Sequence, residues 1–191
     1  TAAVTKIRKY TLDLYKKLEK EVNHSAGLRL NGALSIAQTN SRWQELKRQA
    51  TTAQLYDVDI DILDSDTIKK RYPMMHTEDL KGGVLMSGDG AADPSGVTHM
   101  LAKAARKGGA KIFEQSPVEK ILIKNGRVSG VRVNGQDIEC EYVVLATGMW
   151  SRQIGEKIGV SIPLYPAEHF YVITEPIENL SPTLPVIRDF D

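Results

Sequence analysis

The sequence has a single cysteine, and this excludes an internal disulfide. Cys140 is the only one in 191 residues. A reducing compartment is therefore expected rather than an extracellular one, with the cytoplasm as the first choice and the mitochondrial matrix as the alternative for a eukaryotic source. Without a second cysteine, Cys140 is best interpreted as a small buried hydrophobe.

Long apolar runs and an excess of one charge are also missing. The chain carries 25 Lys and Arg against 24 Asp and Glu, a formal net charge of +1. No basic stripe indicates nucleic acid, and no apolar run reaches the roughly 18 residues that a membrane span needs. No HExxH, Cys-His cluster or Walker A loop is present. We therefore expect no nucleic-acid partner, no membrane segment and no metal site.

What the sequence does contain, at 41% hydrophobic and 26% charged residues, is typical of a globular chain with a sizeable core. In the first 80 residues, apolar spacing predicts an amphipathic helix over 5–21 and a helix over 41–54, with Ser41 available as N-cap. A bent strand or a hairpin is expected over 28–37. A short helix over 66–71, capped by Asp64 or Ser65, follows.

From Lys81 the pattern changes to strand, turn, helix, strand. Residues 83–87 predict a strand, and 94–107 a helix that Asp93 caps and Gly108-Gly109 end. A strand over 110–114 should follow. This alternation is typical of an α/β unit.

Two Asn-Gly pairs then predict tight antiparallel hairpins. Asn125-Gly126 separates strands over 118–124 and 127–133, and Asn134-Gly135 starts the next turn. The apolar run 142–146 predicts a strand buried on both faces and parallel to its neighbours. A helix over 151–158 is expected after it.

The loop Gly88-Asp89-Gly90-Ala91-Ala92-Asp93 resembles the glycine-rich dinucleotide fingerprint. It follows a strand and opens a helix, so an NAD site is one interpretation. Asp93, however, stands where the third glycine belongs, and two carboxylates occupy the place of a pyrophosphate. We favour a capped turn and keep an NAD-binding domain as the weaker alternative.

The turn Thr147-Gly148 ends the predicted strand 142–146. The carboxyl ends of strands in open α/β sheets are where ligands bind, and Gly148 would let a ligand approach the backbone closely. A plain tight turn between strand and helix explains the same residues. The sequence alone leaves both interpretations open.

Several motifs together resemble one family. DGAADPSGVTHMLAKAARKGGAKIFEQSPVEKI, NGRVSGV and YVVLATGMWS are similar to the middle of a D-amino-acid-oxidase-type flavoprotein. GALSIA, PLYPAEHFYVITEPI and LPVIRD resemble its dimethylglycine and sarcosine dehydrogenase branch. The resemblance covers nearly the whole chain. It implies an α/β fold of mixed α+β character: part of a Rossmann-like FAD-binding domain and part of an antiparallel-sheet substrate domain.

The resemblance also implies a function and a cofactor site. The expected reaction is FAD-dependent oxidation of the N-methyl C–N bond of a small amino acid such as dimethylglycine or sarcosine. In that family the adenine meets backbone groups of the residue matching Val118. The ADP portion lies near the residues matching Ala146, Thr147, Gly148 and Trp150.

His169 and Tyr171 are the catalytic candidates that the resemblance implies. They match an HxYV stretch of the family's substrate domain, and strict alternation would put both on one face of a strand, with Phe170 and Val172 on the other. An imidazole could orient the substrate carboxylate or help to keep the amine neutral. A strand histidine bonded to backbone, and a tyrosine that only packs, are the alternatives.

The same resemblance predicts a domain organisation. Residues 1–80 and 161–191 would belong to the substrate domain and 81–160 to the FAD domain, in a chain that is a middle segment of a longer protein. Without the pyrophosphate loop of the family, this segment alone should not retain FAD. Open sheet edges predict pairing between chains, as in a homo-oligomer. A non-catalytic, phosphatase-regulatory relative on the same scaffold is the alternative function.

Overall fold

The computed structural model describes residues 2–191, which divide into two compact units. The four-stranded unit contains residues 2–111 and 178–191, and the three-stranded unit contains residues 112–177. The chain thus leaves the first unit once and returns to it for its last fourteen residues. The predicted mixed α/β class is confirmed, because helices accompany one mixed and one antiparallel sheet. The division into flavin and substrate domains remains a prediction.

The four-stranded unit is built from four helices and four strands. Its helices are α1 (Ala2–Val22), α2 (Asn40–Gln54), α3 (Ser65–Arg71) and α4 (Pro94–Lys107), and its strands are β1 (Ala33–Ala37), β2 (Asp61–Leu63), β3 (Gly82–Met86) and β7 (Val186–Asp189). The sheet order is β2-β3-β1-β7. β1 pairs antiparallel with β3 and parallel with β7, with Ser35 opposite Val84 on one side and Arg188 on the other.

The core covers both faces of this sheet. On one face Leu34 and Ile36 of β1 pack with Ile68 of α3. On the other face Ala37 packs against Leu46 and other residues of α2. All five residues of β1 are buried, so apolar area is removed from water on both sides of the central strand.

The helices α1 and α4 form a pair in the same unit. Val22, Ala26 and Met100 are its buried contacts. The ammonium groups of Lys103 and Lys107 donate to the carbonyls of Asn23 and Glu21, at 3.3 and 2.9 Å. Lysines of α4 therefore satisfy carbonyl groups that the end of α1 leaves without helical partners.

Side-chain caps begin three of these helices. Asp64 accepts from the backbone N–H of Thr67 at the start of α3, and Asp93 accepts from Ser95 and Gly96 at the start of α4. Both aspartates were expected. For α2 the prediction of Ser41 was wrong, because the helix begins at Asn40 and Thr39 accepts from the Arg42 N–H. The start lies one residue earlier because Thr39 supplies the same hydroxyl chemistry.

The three-stranded unit contains the sheet β4-β5-β6 and a short helix. Its elements are β4 (Val118–Lys124), β5 (Arg127–Val133), β6 (Gln136–Glu139), a 3₁₀ turn (Gly148–Trp150) and α5 (Ser151–Glu156). The two Asn-Gly turns are confirmed, since Asn125, Gly126, Asn134 and Gly135 all have φ between 50° and 74°. Across the second hairpin, the guanidinium of Arg132 donates twice to Asp137, which lowers the pKa of that carboxyl.

Three expected strands are absent from the described residues. Segments 110–114 and 142–146, and the stretch that contains His169 and Tyr171, have no strand pairing. In 142–146 one face is half-buried at Val143 and Leu145, while Tyr142 and Val144 are each 85% exposed. The expectation of a parallel strand buried on both faces is therefore wrong for this structure. The physical reason is that a strand needs a hydrogen-bonded neighbour, and none of the described residues supplies one.

Candidate functional site

The glycine-rich loop 88–93 packs against the chain's own backbone. Arg29 and Ala91 exchange two backbone hydrogen bonds, and Gly32 donates to the Asp89 carbonyl. A Cβ added at Gly90 would collide with the carbonyl of Arg29. Gly90 is thus required for close approach to a neighbouring segment, as a fingerprint glycine would be, but its neighbour is protein.

Most N–H groups of this loop are already engaged. The Gly90 N–H donates to the Asp89 carboxylate, the Ala91 N–H to the Arg29 carbonyl, and the Asp93 N–H to the Ala26 carbonyl. The Asp93 carboxylate in turn accepts from the first N–H groups of α4. A pyrophosphate site needs such groups to be free and aimed at the anion. The prediction of a capped turn is confirmed, and this geometry does not favour the NAD interpretation.

The Ala146–Trp150 turn lies in the three-stranded unit with its backbone accessible. Gly148 has φ +53°, and a Cβ added there would meet no atom within 4 Å. The Thr147 hydroxyl lies 2.9 Å from that of Ser151, and Trp150 donates its backbone N–H to the Thr147 carbonyl. Ala146 and Trp150 are exposed. The turn therefore offers open backbone whose conformation favours glycine.

Val118 begins β4, an edge strand of the three-stranded sheet. One side of its backbone has no strand partner among residues 2–191, so its polar groups can meet a ligand. Neither Val118 nor the turn 146–150 carries a charge. These residues therefore supply no cationic partner for a pyrophosphate.

His169 and Tyr171 lie in an extended segment without strand pairing. Both side chains are exposed, and so are Phe170 at 91% and Val172 at 88%. The strand that would place His169 and Tyr171 on one face and Phe170 and Val172 on the other is therefore absent from this structure. Among residues 2–191, the side chains of His169 and Tyr171 make no hydrogen bond or ion pair. No hydrogen bond therefore joins His169 to Gly148 or Val118. Their proposed roles stay predictions.

Sequence reasoning missed a cavity beside α5. It has a volume of about 320 Å³ and is lined by Arg152, Glu156 and residues 161–165. Arg152 donates to Glu156 at 2.9 Å, one helical turn away. The i,i+4 spacing of opposite charges was the available signal, but it indicates helix stabilisation as readily as a site.

No helix in 2–191 has the length and apolar character to cross a membrane. No group of three or more His, Cys, Asp or Glu side chains in that range is arranged to hold a metal ion.

The chain matches a known protein family over its whole length. The model of the family described as FAD dependent oxidoreductase (DAO) matches residues 1–191. The chain belongs to this family. The predicted membership of the D-amino-acid-oxidase type is thereby confirmed.

Three curated relatives are similar over most of this chain. A 4-methylaminobutanoate oxidase (formaldehyde-forming) of Paenarthrobacter nicotinovorans is 35% identical over 191 residues, which are 100% of this chain and 23% of that protein. The mitochondrial sarcosine dehydrogenase of Homo sapiens is 35% identical, covering 92% of this chain and 20% of that protein. The mitochondrial pyruvate dehydrogenase phosphatase regulatory subunit of Mus musculus is 32% identical, covering 97% and 22%. The chain spans about a fifth of each relative's length.

A solved structure supports the fold. L-proline dehydrogenase from P. horikoshii superposes with a TM-score of 0.78 over 95% of this chain and 48% of that one, at 24% sequence identity. At this identity the likeness concerns the fold alone.

The loop analysis predicts a clear difference between two neighbouring glycines. Gly90→Ala should lower the free energy of unfolding by about 1–3 kcal/mol, because backbone must move to relieve the contact with Arg29. Gly88→Ala is the matched control: its Cβ would meet nothing within 4 Å, so the change should be neutral or stabilising by up to about 1 kcal/mol. Urea denaturation of both variants measures this. Equal stability of the two would contradict the packing account.

For Gly148 we expect two substitutions to separate conformation from contact. Asn tolerates a positive φ but adds a side chain, whereas Val is strained there as well. If backbone at Gly148 approaches FAD, both Gly148→Asn and Gly148→Val should weaken FAD retention, by roughly tenfold or more in the protein that contains this chain. Flavin absorbance per folded protein is the measurement.

The control for that experiment is Gly159→Asn. Gly159 lies in the same unit, has φ +73° and is equally open, but it is not a candidate site residue. Its variant should keep full flavin content. Full flavin content in a folded Gly148→Asn protein would show that the glycine serves only the turn.

Proposed function

We propose that this chain is a segment of an FAD enzyme that oxidises the N-methyl C–N bond of a small amino acid. The observation that carries the proposal is the similarity to two relatives named for N-methylated amino acids, sarcosine and 4-methylaminobutanoate, over 92% and 100% of this chain. Dimethylglycine belongs to the same substrate class. The product amine has lost one methyl group, which leaves as formaldehyde after water adds to the oxidised C–N bond.

FAD, when bound, supplies the two-electron acceptor for this oxidation. In this proposal the backbone at Val118 contacts the adenine, and Ala146, Thr147, Gly148 and Trp150 lie near the ADP portion. The open space over Gly148 and the free edge of β4 support the assignment. Because these residues carry no charge, the pyrophosphate of FAD would be bound by other parts of the protein.

His169 is proposed to act on the substrate, with Tyr171 beside it. Only an unprotonated amine can lose hydride from its methyl carbon, so a group that accepts the ammonium proton or binds the carboxylate assists the reaction. An imidazole changes its charge between about pH 5 and 8 and can do either. The exposed His169 ring has no hydrogen-bond partner in residues 2–191 and is therefore available.

The domain assignment belongs to the same proposal. Residues 81–160 would contribute to the flavin-binding domain, and 1–80 and 161–191 to the substrate domain. A reducing compartment, cytoplasmic or mitochondrial, agrees with the lone Cys140 and with the mitochondrial name of the sarcosine dehydrogenase relative. Self-association through open sheet edges also remains a proposal.

A separate observation supports a second, non-catalytic function. The regulatory subunit of pyruvate dehydrogenase phosphatase is 32% identical over 189 residues, close to the values for the oxidising relatives. A protein that keeps the scaffold without turnover is therefore the competing candidate. The two functions differ in whether substrate reduces the flavin.

Anaerobic mixing of the intact protein with candidate amines tests the proposal. We expect sarcosine, dimethylglycine or 4-methylaminobutanoate to bleach the flavin absorbance, with glycine and 4-aminobutanoate as unmethylated controls. Bleaching by a methylated compound and not by its control supports the enzyme. A flavin that none of the methylated compounds reduces supports the non-catalytic alternative.

His169→Ala should slow flavin reduction by the substrate and leave flavin content and fold unchanged. The expected loss is on the order of tenfold to ten-thousandfold, the usual span for a group that transfers or holds a proton. The pH profile of the reduction rate should also lose the limb that an imidazole contributes. Anaerobic stopped-flow absorbance across pH measures both.

His76→Ala is the matched control, since His76 is another exposed histidine and lies in the four-stranded unit. It should reduce at the wild-type rate. A wild-type rate and pH profile for His169→Ala would remove His169 from the mechanism. Loss of FAD from that variant would place the residue at the cofactor instead.

A further inference from the structure

The fold brings together two histidines that lie far apart in the sequence. His24 follows the end of α1, and His99 lies in α4; both belong to the four-stranded unit. Their ring centroids are 6.3 Å apart, and the ring planes meet at 63°. Neither residue has another histidine within one helical turn of it, so spacing along the chain does not reveal the pair.

Close packing between the connection after α1 and the first turns of α4 holds both backbones. Met100, the residue after His99, is fully buried and packs with Ala26. Gly96, one turn before His99, approaches the connection so closely that an added Cβ would lie 2.9 Å from the Ser25 carbonyl oxygen. The two histidines are thus mounted on packed elements, and ligands that are fixed in this way lose little freedom when they bind an ion.

The imidazole nitrogens of both residues are available. Among residues 2–191, neither ring takes part in a hydrogen bond or an ion pair. His24 is half-buried and His99 is exposed, so water and ions can reach the rings. A neutral imidazole with a free nitrogen is a good ligand for zinc, copper and nickel ions.

The separation of the two rings suits one shared ion. A zinc ion holds each ligating nitrogen at about 2.0–2.1 Å, so two imidazoles on one ion have ring centroids roughly 5–6 Å apart. The observed 6.3 Å is close to that range, and surface side chains rotate freely enough to supply the difference. Water would fill the remaining positions of a tetrahedral ion.

The charges around the pair partly oppose one another. Lys103 lies one turn after His99, and its ammonium donates to the Asn23 carbonyl at 3.3 Å, so a positive charge is near. His24, however, lies at the negative C-terminal end of α1, which favours a cation. The Glu19 carboxylate accepts from the N–H of the connection at 2.6 Å and adds a negative charge. Mixed charges and two protein ligands predict weaker binding than in four-ligand structural sites.

We propose that His24 and His99 form a binding site for a divalent transition-metal ion of the zinc class. The ion bridges the two rings and clamps the end of α1 to α4, which stabilises the packing of this helix pair. Two side chains make an open site, not a closed cage of three or more protein ligands. The site includes none of the residues proposed for flavin binding or catalysis, so the inference is independent of the proposed reaction.

Calorimetric titration of the intact protein that contains this chain with Zn²⁺ tests the site. The wild type should bind an ion with a dissociation constant of about 1–100 μM. His24→Ala and His99→Ala should each weaken that binding by at least about tenfold, because losing a ligand costs no less than losing a group that orients one. His99→Gln, which keeps a good helix former at this position, repeats the test with a polar side chain.

His76→Ala is the matched control. His76 is an exposed histidine of the same unit with Glu78 and Asp79 beside it, so it would be the competing place for an ion. This variant should bind Zn²⁺ as the wild type does. Absence of Zn²⁺ binding in the wild type, unchanged binding in the His24 and His99 variants, or loss of binding in His76→Ala would each overturn the proposal.

The double variant distinguishes one shared ion from two separate ones. If a single ion bridges the rings, His24→Ala combined with His99→Ala should lose no more affinity than either change alone. Losses that add would show that each histidine binds its own ion and would overturn the bridge. Excess Zn²⁺ should also raise the melting temperature of the wild type and not that of the double variant, because only a bound ion stabilises the folded state. An equal rise in both proteins would contradict the clamp.

Discussion

The burial of β1 is the constraint on which the four-stranded unit depends. Its five residues are enclosed on both faces by α2 and α3 and on both edges by β3 and β7. A central strand of this kind must place all its backbone polar groups in ladders, because water cannot reach them. The antiparallel register with β3 and the parallel register with β7 satisfy that requirement, and they bring the last residues of the chain back to the first unit.

Features set by neighbouring residues could be predicted from the sequence. Asp93 before Pro94 makes a helix start whatever surrounds it, and each Asn-Gly pair makes its own hairpin turn. The helix over 94–107 and the strand near 83–87 are present for the same reason. Even the glycine-rich loop was interpretable, since the carboxylate at Asp93 already pointed to a cap rather than a phosphate site.

Features that depend on distant partners could not be predicted. The parallel strand was expected at 142–146, but the parallel partner of β1 is β7, whose Arg188 lies opposite Ser35. Arg188 also donates to Asp89, 99 residues earlier in the chain, and only folding brings the two together. The apolar run 142–146 and the alternating stretch around His169 and Tyr171 carry strand patterns without a described neighbour to pair with. The candidate residues Gly148 and His169 were identified by resemblance, because bare turns and exposed histidines have no chemistry that singles them out.

We propose that the oxidised bond is the one between nitrogen and the methyl carbon. Turnover of sarcosine labelled with ¹³C in its methyl group, by the intact protein with its flavin, tests this assignment. The label should appear in formaldehyde, with glycine as the other product. Label recovered in methylamine, with glyoxylate as the other product, would show oxidation of the opposite C–N bond and would contradict it.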